Sequence, residues 1–125
     1  MRSVTSGVEI VTKMFEEWNA HDLDAVYAGL SEDYREYANG VLVKVGRFEA
    51  RDADAALYEM VPDYHRTVEE LWGLDDRVVA RSSIHGTMRD GKRFEVAVGC
   101  IYGVRDGHIS EAYVYCDPTN TLATD

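Results

Sequence analysis

Residues 107–117 read Gly-His-Ile-Ser-Glu-Ala-Tyr-Val-Tyr-Cys-Asp, and the predicted arrangement of the rest of the chain follows from this stretch. Successive side chains of a strand point to opposite faces, so Tyr113, Tyr115 and Asp117 share one face of a predicted strand. A polar, aromatic face that ends in a carboxylate is typical of the wall of a pocket. The alternative is an edge strand whose polar side lies in water.

Three more strands are predicted upstream, at residues 65–74, 77–88 and 92–104. The first half of the chain shows helical periodicity, at residues 4–20, 23–30 and 48–60. A short predicted hairpin, residues 34–38 and 41–45, turns at Asn39-Gly40. Helices followed by a run of antiparallel strands predict an α+β fold in which the helices cover one face of a curved sheet.

Two Asp-Gly dipeptides, at residues 90–91 and 106–107, predict a register for the last three strands. If both are two-residue turns, the rows on one face are Arg81/Cys100/Tyr113, Ser83/Val98/Tyr115 and His85/Val96/Asp117. His85 and Asp117 would then face one cavity about 10 Å apart, which is two strand spacings.

The opposite face of this predicted sheet carries small, mostly apolar residues: Ala80, Ile101, Ala112, Ser82, Gly99, Val114, Ile84, Ala97 and Cys116. Such a face suits flat packing, so we expect a symmetric homodimer through it. The alternative is that the helices cover this small-residue face and that the polar face is exposed. The same register directs the thiols of Cys100 and Cys116 to opposite faces, which excludes a disulfide.

Length and charge narrow the class of protein. The chain has 125 residues, enough for a single domain over 1–125, with flexible tails expected at about 1–3 and 119–125. A net charge of −10 with scattered basic residues argues against nucleic acid or an anionic membrane as a partner. No long apolar run and no leader pattern is evident, so a cytoplasmic location is expected.

Four stretches together resemble the nuclear-transport-factor-2-like superfamily and, within it, the SnoaL-like polyketide cyclases. They are Phe-Glu-Glu-Trp-Asn-Ala-His-Asp-Leu-Asp-Ala-Val (15–26), Val-Pro-Asp-Tyr-His-Arg-Thr-Val-Glu-Glu-Leu (61–71), Asp-Arg-Val-Val-Ala-Arg-Ser-Ser-Ile-His-Gly-Thr (76–87) and Val-Arg-Asp-Gly-His-Ile-Ser-Glu-Ala-Tyr-Val-Tyr-Cys-Asp (104–117). The resemblance implies a cone-shaped fold, a curved antiparallel sheet wrapped over three helices of the N-terminal half, with an internal pocket. This superfamily includes isomerases, dehydratases, cyclases, epoxide hydrolases and non-enzymes, so the reaction stays open.

The catalytic positions of two branches can be compared with this chain. The ketosteroid isomerases use a tyrosine and two aspartates where this chain holds Met14, Ala38 and Cys100, so that mechanism is not expected.

The limonene-epoxide-hydrolase branch resembles this chain more closely. It implies that Tyr37, Asn39 and Asp117 hold a water beside Arg81, although a type I′ turn alone would also explain Asn39. That branch has an acid where this chain has Ser83, which cannot protonate an epoxide. His85, one pleat further along the same predicted face, is the candidate acid by parity.

These observations predict a cofactor-independent enzyme that acts on a hydrophobic small molecule, of the polyketide or terpenoid kind, by cyclisation, isomerisation or epoxide opening. Asp117 is the predicted general base, because SnoaL-like cyclases use one aspartate in an apolar cavity, and His85, Tyr37 and Arg81 are predicted to assist. The predicted substrate contacts are Asn39, Tyr113, Tyr115, Trp18, Phe15, Ser83, Val96 and Val98. No ligand set for a metal and no cofactor motif is evident. A non-catalytic binding or accessory protein of the same fold is the alternative.

Overall fold

A computed structural model describes residues 6–116 and 122–124 of the chain. Its helices and strands, in chain order, are α1 (Gly7–Asn19), α2 (Leu23–Ala28), β1 (Leu30–Ala38), β2 (Val41–Val45), α3 (Arg47–Met60), β3 (His65–Leu74), β4 (Arg77–Thr87), β5 (Arg93–Arg105), β6 (His108–Tyr115) and β7 (Leu122–Thr124). Asp117 lies outside the described residues, as do parts of both predicted tails. Residues 122–124, which were predicted to belong to the second tail, form β7 instead.

Six strands form one curved sheet in the order β2-β1-β6-β5-β4-β3, and β7 pairs with the start of β5. All neighbours are antiparallel except β1 and β6, which run parallel. The three helices pack on one face of the sheet, here called the concave face, and the other is called the convex face. The α+β fold class predicted from the sequence is therefore confirmed.

Local signals fix where the first two helices begin. The hydroxyl of Ser6 accepts a hydrogen bond from the backbone N–H of Glu9 at 3.1 Å, and the Glu9 carboxylate accepts one from the N–H of Ser6 at 3.3 Å. This reciprocal cap explains why α1 begins at Gly7 and not at the predicted Val4. The carboxylate of Asp22 accepts a bond from the N–H of Ala25 at 3.2 Å, which confirms the predicted cap of α2.

The third helix presents a different face to the interior from the one that its apolar residues predict. Phe48 and Met60 are 69% and 51% exposed, whereas Ala50 and Asp54 are buried. A search for an apolar stripe misses this face because one of its members is a carboxylate.

The predicted register is wrong by one residue at two places. Between β4 and β5 the N–H of Met88 bonds the carbonyl of Lys92 at 2.8 Å, and Gly91 has a φ of 91°, so the loop has three residues. Between β5 and β6 the turn at Asp106-Gly107 does have two residues, but an irregularity at Gly103/Val104 shifts the pairs that follow.

A one-residue slip moves every side chain of a strand to the other face. The observed rows are Ala80/Cys100/Val114 and Ser82/Val98 on the concave face, and Val79/Ile101/Tyr113 and Arg81/Gly99/Tyr115 on the convex face. The small-residue face predicted for a homodimer is therefore divided between the two sides of the sheet. Cys100 and Cys116 both pack against the interior, contrary to prediction, and both are free thiols.

The hydrophobic core lies between the helices and the concave face. Val11 and Phe15 of α1 pack there with Val98 and Tyr102 of β5, and the rings of Phe15 and Tyr102 meet edge to face with centroids 5.9 Å apart. No helix among residues 6–116 combines the length and the hydropathy needed to cross a bilayer.

Candidate functional site

A cavity of about 80 Å³ lies in the interior, between the helices and the concave face. Several polar side chains line it among apolar neighbours: Trp18, Tyr34, Glu36, Asp54, Arg66 and Tyr102. Most buried interiors hold no such concentration of charge, which marks this cavity as the candidate site.

Asp54 is the buried carboxylate of the cavity and is 5% exposed. The indole N–H of Trp18 donates to its Oδ2 at 3.1 Å, and Nζ of Lys44 lies 3.9 Å from its Oδ1. Burial raises the pKa of Asp54 above its ordinary value, and the charge of Lys44 and the bond from Trp18 oppose that rise. A carboxylate with a raised pKa is a stronger base than an exposed one.

Lys44 contacts a second acid, Glu36, in addition to Asp54. Glu36 lies opposite Lys44 in the β1–β2 pair, and Nζ of Lys44 is 3.0 Å from Oε2 of Glu36. The hydroxyl of Tyr34 donates to the other oxygen of Glu36 at 2.7 Å. Burial, followed by the nearby Glu36 charge, raises the pKa of Tyr34 well above its ordinary value, so Tyr34 stays a neutral donor.

Arg66 places a cation at the wall of the cavity and is 6% exposed. Asn19 holds its backbone with two hydrogen bonds, one to its N–H at 2.8 Å and one to its carbonyl at 2.9 Å. Its guanidinium carbon lies 4.7 Å from the ring centroid of Trp18 and 5.4 Å from that of Phe15. Its Nη1 donates to the hydroxyl of Tyr102 at 3.4 Å, and its Nε has no partner within the described part of the chain.

Aromatic packing keeps this site in shape. The rings of Trp18 and Tyr64 meet edge to face with centroids 5.1 Å apart, and the hydroxyl of Tyr58 donates to the carbonyl of Trp18 at 2.8 Å. His21 stacks on Tyr58 at 4.2 Å. Burial raises the pKa of Tyr64 to about 12, so it is neutral at physiological pH.

Three predicted catalytic residues lie on the convex face, outside the cavity. Nε of Arg81 donates to the carboxylate of Glu70 at 2.7 Å, and Nε2 of His85 lies 2.9 Å from the hydroxyl of Thr67. The ring of Tyr37 stacks on that of Tyr113 at 5.0 Å. The structure therefore does not bring these side chains together around a ligand in the cavity.

The predicted substrate contacts divide between the interior, the convex face and a turn. Trp18 lines the cavity, Phe15 contacts Arg66 beside it, and Val96 and Val98 pack in or against the core. Ser83, Tyr113 and Tyr115 lie on the convex face, as the observed register requires. Asn39 has a φ of 50° in its turn, and its side-chain carbonyl accepts a bond from the N–H of Cys116 at 3.1 Å.

The sequence analysis missed Asp54, Glu36 and Arg66. Each occupies an inward position of its element, beside the buried residues Ala50 for Asp54 and Tyr34 for Glu36. A charged residue in an inward position is the signal that could have found them, because burial of an unpaired charge is costly and seldom incidental. No group of three metal-type ligands occurs in residues 6–116 or 122–124.

A model of the SnoaL-like polyketide cyclase family matches residues 8–124. The chain belongs to this family. The match covers α1 through β7, so every element that borders the cavity lies within the family domain. The resemblance drawn from the sequence is confirmed.

Solved structures with the same fold carry different descriptions. A protein described as an LEH-like epoxide hydrolase of M. tuberculosis is 17% identical, with a TM-score of 0.80 over 90% of this chain and 84% of that one. A candidate polyketide cyclase of Xanthomonas campestris pv. campestris is 23% identical, with a TM-score of 0.76 over 88% and 89%. An NTF2-like protein of unknown function from Cytophaga hutchinsonii is 17% identical, with a TM-score of 0.76 over 95% and 96%.

None of the curated protein sequences matches this chain significantly. These solved structures are less than 25% identical to this chain in sequence, so they establish its fold but not its reaction. The reaction is inferred below from the chemistry of the site.

Proposed function

We propose that this family member is a cofactor-independent enzyme that performs acid–base catalysis on a hydrophobic small molecule, of the polyketide or terpenoid kind, inside the interior cavity. The observation that carries the proposal is the Asp54 carboxylate, which is buried at the cavity wall with a raised pKa. A base of this kind attracts a proton more strongly than an exposed carboxylate does.

The two oxygens of Asp54 have different surroundings. Trp18 holds Oδ2 by a hydrogen bond at 3.1 Å, which fixes the plane of the carboxylate. In the described part of the chain the only polar neighbour of Oδ1 is Nζ of Lys44, at 3.9 Å, so Oδ1 is the oxygen that can accept a proton. In the proposed step a C–H or O–H bond of the substrate or of a water breaks, and an O–H bond forms at Oδ1.

This step serves each of the reactions that the fold leaves open. Removal of a proton from carbon gives the carbanion that cyclisation or isomerisation requires. Removal of a proton from water gives the nucleophile that opens an epoxide, and the proton held at Oδ1 then passes to the alkoxide that the opening leaves. Arg81 and His85 take no part in the proposed step because they lie on the convex face. Asp117, the base predicted from the sequence, remains a competing candidate that the same experiment examines.

The test compares Asp54→Asn with Asp117→Asn in two assays. One measures solvent deuterium uptake by cyclohexanone in D2O by proton NMR, and the other measures diol formation from cyclohexene oxide. Loss of a general base is expected to lower the rate by roughly 100-fold to 10,000-fold. We expect that loss in Asp54→Asn and a rate near wild type in Asp117→Asn. The reverse pattern would identify Asp117 as the base, and an unchanged rate in Asp54→Asn would refute the proposal.

Ligand binding without turnover is the second candidate function. The hydrogen bond from Trp18 to Asp54 and the ion pair of Asp54 with Lys44 favour this candidate, because a carboxylate with such partners can have a purely structural role. A wild-type protein that binds cyclic ketones in NMR titrations yet accelerates neither reaction would support it.

A further inference from the structure

The guanidinium of Arg66 is a buried cation without an acid beside it. Among the described residues no carboxylate oxygen lies within 4.0 Å of it, whereas Lys44 contacts both carboxylates that line the cavity, Glu36 and Asp54. Within residues 6–116 and 122–124, the neutral hydroxyl of Tyr102, at 3.4 Å, is the only side-chain acceptor for Arg66, and the buried Nε–H makes no bond. An arginine carries five N–H donors, so most of its capacity is unused.

Such an arrangement is costly in the free protein. Buried charges are normally paired or bound to a counter-ion, because removal of an ion from water costs several kcal/mol or more. An arginine also stays protonated at any physiological pH, so the cost cannot be relieved by loss of the proton. The guanidinium is nevertheless held in place, by the two bonds from Asn19 to its backbone and by the ring of Trp18 at 4.7 Å.

We propose that Arg66 binds an anionic oxygen of the ligand, such as a carboxylate, a phenolate or an enolate, inside the cavity. Its Nε–H has no partner among the residues that the structure describes, and a planar guanidinium suits binding of an oxyanion through more than one N–H. The inference rests on the proposed function in one respect only, namely that the cavity is where the ligand binds. It narrows the substrate class to small, mostly apolar molecules with an acidic or enolisable oxygen.

Conservation of charge links oxyanion binding by Arg66 to proton removal by Asp54. When Asp54 takes a proton from the carbon next to a carbonyl, the C–H electron pair becomes a C=C bond and the carbonyl electrons move onto oxygen. One negative charge thus passes from Asp54 to the substrate oxygen, and the cavity keeps its total charge. Arg66 is the cation among the described lining residues of the cavity and has no described carboxylate within 4.0 Å, so it stabilises the charge on the substrate oxygen after the transfer.

The experiment measures binding of 2,6-difluorophenol, a small phenol that ionises near neutral pH and whose fluorine NMR shift reports its ionisation. Hydrogen bonds to a charged group contribute about 1.5–3 kcal/mol, so wild type is expected to bind phenolate roughly 10-fold to 100-fold more tightly than phenol. The acid dissociation constant of the bound probe rises by the same factor, so its pKa falls by about 1 to 2. The readout requires no turnover.

Four variants separate the possible causes. Arg66→Met is expected to lose the preference for phenolate. Arg66→Lys keeps the positive charge but lacks the planar set of N–H donors, so it is expected to keep part of the preference. Asp54→Asn removes a negative neighbour and should strengthen the preference. Arg47→Met is the matched control, because Arg47 also has a buried Nε without a bond but lies over Tyr27 at 4.5 Å and is not among the lining residues of the cavity.

The outcomes distinguish the two proposals. A wild-type protein that binds phenol and phenolate equally overturns the inference, even if Arg66→Met fails to fold. A preference that survives in Arg66→Met, or that Arg47→Met also loses, overturns it as well. If equal binding in wild type becomes phenolate preference in Asp117→Asn, the chain's own carboxylate occupies Arg66 and the inference is wrong. If Asp54→Asn keeps full turnover while Arg66 still selects phenolate, only the proposed base fails.

Discussion

At the scale of single residues, the site consists of charges held in an apolar interior. Trp18 illustrates how one side chain organises several others, since its N–H holds Asp54 and its ring lies under Arg66. Removal of its ring would release both the acid and the cation. The helix position of Trp18 was visible in the sequence, whereas its two polar partners come from α3 and β3 and were not.

The raised pKa of Asp54 predicts how the stability of the protein depends on pH. Burial raises the pKa of Asp54 in the folded protein above its unfolded value, so the folded state holds the proton more tightly and ionisation of Asp54 disfavours folding. The free energy of unfolding of wild type should therefore fall, relative to Asp54→Asn, as pH rises from the ordinary carboxyl range through the raised pKa. Urea denaturation of both proteins from about pH 4 to about pH 7 checks this.

Asp63 is the control, because its pKa is lowered whereas that of Asp54 is raised. Its carboxylate accepts bonds from the backbone N–H and the hydroxyl of Thr87, at 2.7 and 2.8 Å, and these bonds lower its pKa. Its stabilising contribution is present above the ordinary carboxyl pKa and is lost as pH falls through the lowered value. Asp63→Asn should therefore be less stable than wild type at neutral pH, and the two should converge in acid. A parallel pH dependence of the two variants would contradict both assignments.

At the scale of elements, single-residue irregularities between strands decide which side chains point to each face of the sheet. One extra loop residue between β4 and β5 and one irregularity between β5 and β6 are enough to turn Arg81, Ser83 and His85 away from the interior. The dipeptide Asp90-Gly91 does not reveal its loop length, because Asp-Gly suits both a two-residue turn and the last positions of a three-residue loop.

Packing around β4 predicts different effects of alanine at two glycines. A Cβ on Gly86 would lie 2.4 Å from a methyl carbon of Val61, which is 1% exposed, whereas a Cβ on Gly99 would meet nothing within 4 Å. Gly86→Ala is therefore expected to lower the free energy of unfolding by about 1–3 kcal/mol, the usual cost of overpacking. Gly99→Ala should be neutral or slightly stabilising. Equal urea midpoints for the two variants would show that Val61 can move aside at no cost.

At the scale of the whole molecule, an apolar row crosses the convex face and suits contact with another protein surface. This convex row consists of Trp72, Val79, Ile101, Tyr113, Tyr37 and Leu42, one residue from each of the six strands. Its members at the two edge strands, Trp72 and Leu42, are exposed. An apolar row of this length is unusual on a surface that faces only water.

We propose that the homodimer expected from the sequence forms through the convex row. A stable dimer needs about 800 Å² from each partner, and a two-fold contact repeats the same patch on both. Ile101→Glu would bury a charge on each side of the contact, so the sedimentation mass is expected to fall from two chains to one. Met60→Glu, at an exposed apolar residue on α3, is the control and should keep the wild-type mass. A wild-type protein that sediments as a single chain at micromolar concentration would refute the dimer.

The sequence by itself determined the fold class, the family, and the identity and order of most elements. Apolar periodicity, caps such as Asp22 and turn dipeptides such as Asn39-Gly40 are local signals, and they act through neighbouring residues whatever the rest of the chain does. Only the tertiary structure decided which side chains meet. Asp54, Glu36, Lys44 and Arg66 come from four separate elements, and their proximity depends on strand register and helix rotation, which a single added loop residue can reverse.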